Sequence, residues 1–308
     1  MPRATPTADF LPDVRVFVAP DDLMPCFSLI YRCEVDLPEG EEIADYLLPE
    51  WANIRFSTQN YPIVTLSGTG QDITGPFVAT GPTARPLRFR LKRTTIWGIG
   101  FLPLGWARFI DLPANDFADT IQVGETSDAF ARFAPLADIL CDPDGDPDTQ
   151  FDGMIAFFRD LAGPPRDATR IANILQAMFD PYLTQVTDFA DNAGMTKRTL
   201  ERVCLKHFGF SPQLLLRRQR LMRSLASFML EEKAVWSRRI DKHYHDQAHF
   251  VREFHTFMGM KPTEYAQMPH PMLSAFMVER NRVWGPAIPS FEPPTATPGA
   301  SPIIPAKT

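Results

Sequence analysis

Apolar positions change their spacing twice along this chain, and each change marks a different kind of element. Between residues 26 and 101, short apolar stretches (CFSLIYRCEV, ADYLLP, NIRFST, PIVTLSG, GPFVATG, PLRFRL, TTIWGIGF) alternate with Gly, Pro, Asn and Asp punctuation. Short runs broken at such regular intervals predict β-strands of a small sandwich or barrel. Residues 105–163 turn helical, with amphipathic segments near 125–140 and 149–162, and Gly163-Pro164-Pro165 then breaks the chain. Beyond the break a period of about 3.6 residues dominates up to residue 267. From Gly285 onward seven of 24 residues are proline and no amphipathic pattern remains, the composition of a disordered tail. The organisation expected is α+β in two domains. A β-rich, barrel or cupin-like domain occupies 1–163, an all-α domain with two helix-turn-helix units occupies 164–269, and an extension with a Pro-rich tail occupies 270–308. No internal repeat with a period of 20–50 residues is visible.

The segment TQVTDFADNAGMTKRTLERVCLKHFGFSPQLLLRRQRL carries the first unit. Phe189, Ala190 and Ala193 share one face of a short helix, and small alanines let a second helix cross closely. Gly194 follows where a left-handed residue ends a helix and starts a tight turn. Thr196 is placed to cap the next helix, in which Leu200, Val203 and Cys204 point inward. The opposite face carries Lys197, Arg198, Glu201 and Arg202, with Lys206 further along. A helix offering long polar side chains from its first turns is what the DNA major groove accepts. Between Thr196 and Arg223 there are eight basic residues and one acidic residue. A basic face alone is more often solvated surface; here turn, cap and inward triplet agree with a groove-reading unit.

Some fifty residues later comes RRIDKHYHDQAHFVREFHTFMGMKPTEYAQ. Asp246 can cap a helix whose inward stripe is Phe250, Phe254 and Phe257, leaving Gln247, His249, Val251 and Arg252 outward. With this second unit the chain resembles the arabinose-regulator (AraC-type) family of transcription factors. The resemblance rests on TKRTLERV, on the Gly209-Phe210-Ser211-Pro212 loop with LLLRRQRL after it, on Tyr244-His245-Asp246-Gln247-Ala248-His249-Phe250, and on Gly259-Met260-Lys261-Pro262. More weakly, GPTARPLRF and TTIWGIGFLPLGWARFI resemble the β-rich N-terminal domain attached to one branch of that family.

The resemblance implies that Arg198, Glu201 and Arg202 contact base edges, with Lys197 near a phosphate. It also implies that Gln247, His249 and Arg252 do the same from the second unit, and that a linker helix from Gln213 to about Leu230 spaces the units about 34 Å apart, one helical turn of DNA. The implied partner is double-stranded DNA and no cofactor is called for. RNA polymerase, a small-molecule effector and a second copy of the chain, as a homodimer, stay open as further partners. Two positions depart from the family pattern. His243 stands where a turn glycine is usual, so that turn should be costlier or differently shaped. Cys204 stands where a large aromatic is common, which should loosen the first unit's core.

Charge supports a division of labour. Residues 164–284 hold 18 Lys+Arg against 12 Asp+Glu, whereas residues 1–163 hold 12 basic against 24 acidic. An acidic half joined to a basic half predicts that only the basic half meets a polyanion. Over 236–265 the balance is only five basic to four acidic, so the first unit should dominate affinity. Four scattered cysteines (Cys26, Cys33, Cys141, Cys204) suit reduced thiols in a cytoplasm. No apolar run is long enough for a membrane helix and the N-terminus lacks secretory-signal order.

Two rival chemistries remain open. His243, His245, Asp246 and His249 have the look of a metal site, since His245 and His249 stand i, i+4 apart; the alternative is a helix start with Asp246 as its cap. A metalloprotein or enzyme using that cluster, and a degenerate regulator binding a protein partner, are therefore the competing readings. A catalytic N-terminal domain is disfavoured because the first histidine in the chain is His207, which excludes imidazole-based catalysis there, so no enzyme activity is expected. Trp51, Phe56, Trp97, Phe101 and Trp106 could line an apolar effector pocket or be ordinary core.

Overall fold

A computed structural model describes residues 11–161, 163–229 and 240–284; the Pro-rich tail lies outside the described residues. Ten strands come first: β1 (Asp13–Phe17), β2 (Phe27–Val35), β3 (Ile43–Leu47), β4 (Asn53–Ser57), β5 (Ile63–Leu66), β6 (Asp72–Thr74), β7 (Phe77–Thr80), β8 (Leu87–Leu91), β9 (Thr94–Phe101) and β10 (Ile121–Val123). Helix α1 (Pro103–Phe109) lies between β9 and β10, and α2 (Ala137–Leu140) and α3 (Pro147–Leu161) follow. All seven expected apolar stretches became strands. Strands β6 and β10, of three residues each, carry too few alternating positions to announce themselves, and β1 lies before the stretch 26–101 that read as β-rich.

The strands form two antiparallel sheets, one in the order β1-β2-β9-β4-β7-β10 and one in the order β3-β8-β5-β6. Alternation explains the layering. In β8, Leu87, Phe89 and Leu91 are buried whereas Arg88 is exposed and Arg90 is half-buried, and Arg90 pairs with Asp72 at 3.4 Å on the outer face. In the larger sheet both faces are covered. Tyr31, Cys33, Val35 and Ile96 point into the core between the sheets, while Ile30, Trp97, Ile99 and Phe101 point into a second core capped by α1 and α3. Burial on two faces is why β9 reads as a nearly continuous apolar run.

The expected barrel is not closed. The two sheets share no strand pairing among the described residues. At one side their edge strands β1 and β3 are instead bridged by a helix from the far end of the chain. Covering an edge with a helix satisfies the same need as closure, since it hides the unpaired backbone from other chains.

Among the described residues that helix is the last of seven in the second half: α4 (Ala168–Met178), α5 (Val186–Asn192), α6 (Lys197–Val203), α7 (Pro212–Met229), α8 (Gln247–Met258), α9 (Pro262–Ala266) and α10 (Pro271–Trp284). A single apolar core runs through α4–α9 and continues into Leu48, Trp51, Ala84, Leu102 and Ala107 of the β-rich half. The two halves therefore pack directly on one another. No helix of the described residues is long and apolar enough to cross a membrane.

Candidate nucleic-acid interface

The first unit is built as its sequence requires. Phe189, Ala190 and Ala193 of α5 and the turn after it are fully buried, as are Leu200, Val203 and Cys204. Gly194 has φ +66°, the left-handed backbone that an L side chain resists. Thr196 Oγ1 accepts a hydrogen bond from the Thr199 amide at 3.3 Å and so caps α6. Lys197, Arg198, Glu201 and Arg202 are exposed. At Cys204, itself fully buried, the helix widens into a π-type turn through Phe208. The turn ends at Gly209, φ +81°, where an added Cβ would stand 3.0 Å from Pro82 of the β-rich half.

In the second unit Asp246 Oδ1 accepts from the His249 amide at 2.6 Å and caps α8. The ionised cap is favoured, because that amide and then the His245 ring hold the Asp246 carboxyl below its usual range. Phe250, Phe254 and Phe257 are buried, as their spacing predicted. Gln247 and Arg252 are exposed, but His249 is only half-exposed. Its Nδ1 lies 3.4 Å from the His245 amide and its Nε2 lies 3.8 Å from Glu253, so its ring is partly committed inward.

The turn before α8 avoids the glycine conformation altogether. His243 keeps negative φ, because Asp241 Oδ1 accepts from both the His243 amide (2.9 Å) and its Nδ1 (2.8 Å). The turn thus differs in shape, the second of the two outcomes expected at that position. Among the described residues no group of three His, Cys, Asp or Glu side chains is arranged to hold a metal.

Several charged residues at the interface were not singled out by sequence. Glu253 is buried and receives Arg217 Nε at 3.0 Å, Arg220 Nη2 at 2.8 Å and the Tyr244 hydroxyl at 3.0 Å. Arg223 donates to Asp241 at 2.6 Å. These pairs fasten α8 and the turn before it to the linker helix α7. Arg217, Arg220, Arg223 and Glu253 line a polar cleft of about 480 Å³ that also contains Arg252 and His249. A signal for Glu253 was present, since it falls beside Phe250 and Phe254 on the inward stripe of α8, where a carboxylate needs partners. Asp167, with left-handed backbone (φ +60°), gathers Arg170, His207 and, at 4.0 Å, Arg202. Burial opposes ionisation of Asp167, yet bonds to Arg170 and His207 hold its carboxyl below the usual range.

Of the five aromatics considered for a pocket, Phe56, Trp97, Phe101 and Trp106 are fully buried core. Trp51 differs. It lines a cavity of about 100 Å³ together with Tyr31, Asn53, Arg55, Phe276 and Met277. It also meets Phe208 edge-on at 5.8 Å and lies under the Arg218 guanidinium at 4.4 Å. Within the cavity wall, Arg55 pairs with Glu50 at 2.5 Å and donates to the Tyr31 hydroxyl at 3.2 Å.

A profile of the helix-turn-helix domain family matches residues 189–268. No curated protein matches the chain by sequence. Among solved structures, ToxT from Vibrio cholerae is similar over 83% of this chain and 98% of its own, at 9% identity and a TM-score of 0.41. A structure of the same Vibrio cholerae protein with an unsaturated fatty acid bound shares 13% identity, covering 83% of this chain and 95% of its own, with a TM-score of 0.39. The AraC-like transcriptional activator CuxR shares 13% identity over 70% of this chain and 88% of its own, with a TM-score of 0.26. With both capped helices in place and the family profile spanning them, residues 189–268 are a helix-turn-helix domain of the AraC type.

Proposed function

We propose that this chain regulates transcription by reading two successive major grooves of one DNA site with α6 and α8. Lys197 faces phosphate, Arg198, Glu201 and Arg202 reach base edges from the first unit, and Gln247, Arg252 and His249 do so from the second. The observation that carries the reading is the pair of capped helices, with Lys197, Arg198, Glu201 and Arg202 exposed on α6 and Gln247 and Arg252 exposed on α8. The 18-residue linker α7 is about 27 Å long at 1.5 Å per residue, a span compatible with units one DNA turn apart. Phosphate attraction concentrates on the first unit and should fall steeply with salt. The cavity beside Trp51 is where a small effector would enter, because its wall combines apolar side chains with the Asn53 amide oxygen, which lacks a hydrogen-bond partner.

The test is recovery of bound genomic fragments by the purified full chain, followed by titration of Arg198→Ala against a recovered site and against random duplex. A base-reading Arg198 costs about 1–3 kcal/mol on the recovered site and little on random DNA. Equal loss on both makes it a backbone contact. Absence of any preferred fragment at moderate ionic strength would end the proposal.

A further inference from the structure

Helix α10 follows the second helix-turn-helix unit in sequence and is shared between the halves: Met272 enters the intersheet core, while Leu273 and Met277 belong to the core that runs through α4–α9. It bridges the edge strands β1 and β3, where the two sheets fail to close. Met272 is buried in the core between the sheets, and Phe276 meets the Tyr31 ring edge-on at 4.6 Å. Asp45 of β3 receives the helix start. Its Oδ2 accepts from the Met272 and Leu273 amides at 3.0 and 3.1 Å, and its Oδ1 lies 3.0 Å from His270 Nδ1. Apart from the adjacent Tyr46 amide, these donors all come from 270–273. A buried carboxylate is costly without such donors, so Asp45 ties the start of α10 to β3 across the chain.

The other end of this tie leads straight to α8. His270 Nε2 lies 3.1 Å from the Tyr265 carbonyl and its ring stands 4.3 Å from the Tyr265 ring. Tyr265 is fully buried against Phe254 of α8 at 5.8 Å. Only residues 267–270 separate α9 from α10, so displacement of α10 cannot be absorbed by slack. The first unit is docked independently, through Lys206 with Asp111 at 3.8 Å, Phe208 with Trp51, and Gly209 against Pro82.

We infer that α10 is a displaceable latch that holds the second DNA-reading unit docked on the acidic β-rich half, and that its release raises affinity for DNA. This rests on the DNA-binding reading above. Two observations give the direction. Docking holds a half with 24 acidic against 12 basic residues beside the basic helices, and that field opposes the approach of phosphates. The helix also roofs a cavity of about 100 Å³ bordered by Leu273, Phe276 and Met277, so its seat is incompletely packed and a minor undocked population is accessible. Undocking exposes Tyr31 and the intersheet core, so the docked form dominates at rest.

The experiment uses the full chain with Asp45→Asn, which removes the charge that holds the helix start, and with Phe276→Ala, which weakens the seat while leaving Asp45 intact. Amide hydrogen exchange over 270–280 reports the latch; anisotropy titration on a genomic fragment recovered by the wild-type chain reports affinity. The expected result is faster exchange at Met272 and Leu273 in at least one variant that melts like the wild type. Affinity should rise about fivefold or more in that variant, the scale of a typical coupling between sites. Unchanged or weakened affinity despite faster exchange overturns the inference, as does unchanged exchange in both variants. A wild-type chain that binds no fragment overturns the DNA-binding reading itself, and the latch with it. That outcome is distinct from a wild type that binds and variants that match it.

Discussion

Replacing Glu253 by Gln tests whether a buried carboxylate sets the position of α8. The change keeps the shape of the side chain and removes its charge. Arg220 Nη2 stands 2.8 Å from one carboxylate oxygen and 2.9 Å from the other. Its side chain is 15% exposed, so that bond is worth about 1.5–2 kcal/mol, within the range for hydrogen bonds to charged groups. Arg217, whose side chain is 39% exposed, is screened by solvent, and its pairing is worth less than about 1 kcal/mol. Tyr244 can still donate to the amide oxygen, so its bond at 3.0 Å largely survives. The expected loss is therefore about 2–3 kcal/mol, or roughly 10 °C in the melting of the helical half, read by far-ultraviolet circular dichroism. Glu253→Ala should lose more, because it leaves two guanidinium groups and a hydroxyl facing a void. If Glu253→Gln melts within about 2 °C of wild type, corresponding to less than about 0.5 kcal/mol, the carboxylate does not fasten α8 to α7 and the reasoning fails.

Other outcomes follow from the same packing. Gly209→Ala forces an L side chain into φ +81° with its Cβ 3.0 Å from Pro82; a loss of about 2 kcal/mol is expected by thermal melting, and a neutral result would mean that the contact with Pro82 gives way. Leu200→Ala, at a fully buried position, should cost about 2–5 kcal/mol and abolish DNA retention at physiological temperature. Burial pushes the Cys141 thiol up to about 11 and the Cys33 thiol up to about 12, so alkylation of the native chain at pH 8 should be far slower than that of the unfolded chain. Burial opposes ionisation of Asp241, but bonds from the His243 amide and Arg223 hold its carboxyl below the usual 3.8. Its contribution is thus present above that value and lost as pH falls through the lowered one. Asp241→Asn should flatten the acid side of the stability profile below about pH 4, read by denaturant midpoints.

Much of the helix-turn-helix region was legible from residues alone, because its determinants are local. Thr196 and Asp246 cap the helices that follow them within three residues, Gly194 supplies a backbone state that few other residues tolerate, and the inward triplets recur at helical spacing. Strand alternation was readable in β5 and β8, where every second residue is buried. What only the tertiary structure decided depends on partners far apart in sequence. Asp45 and His270 stand 225 positions apart, and nothing near either names the other. The extension after residue 269 carries no clean polar face, so neither its helix nor its docking across β1 and β3 is implied by its own pattern. The open sandwich, in place of a barrel, has the same origin: the edge strands are covered by a segment from the opposite end of the chain. Local physics determined the reading elements; long-range packing decided how they are held.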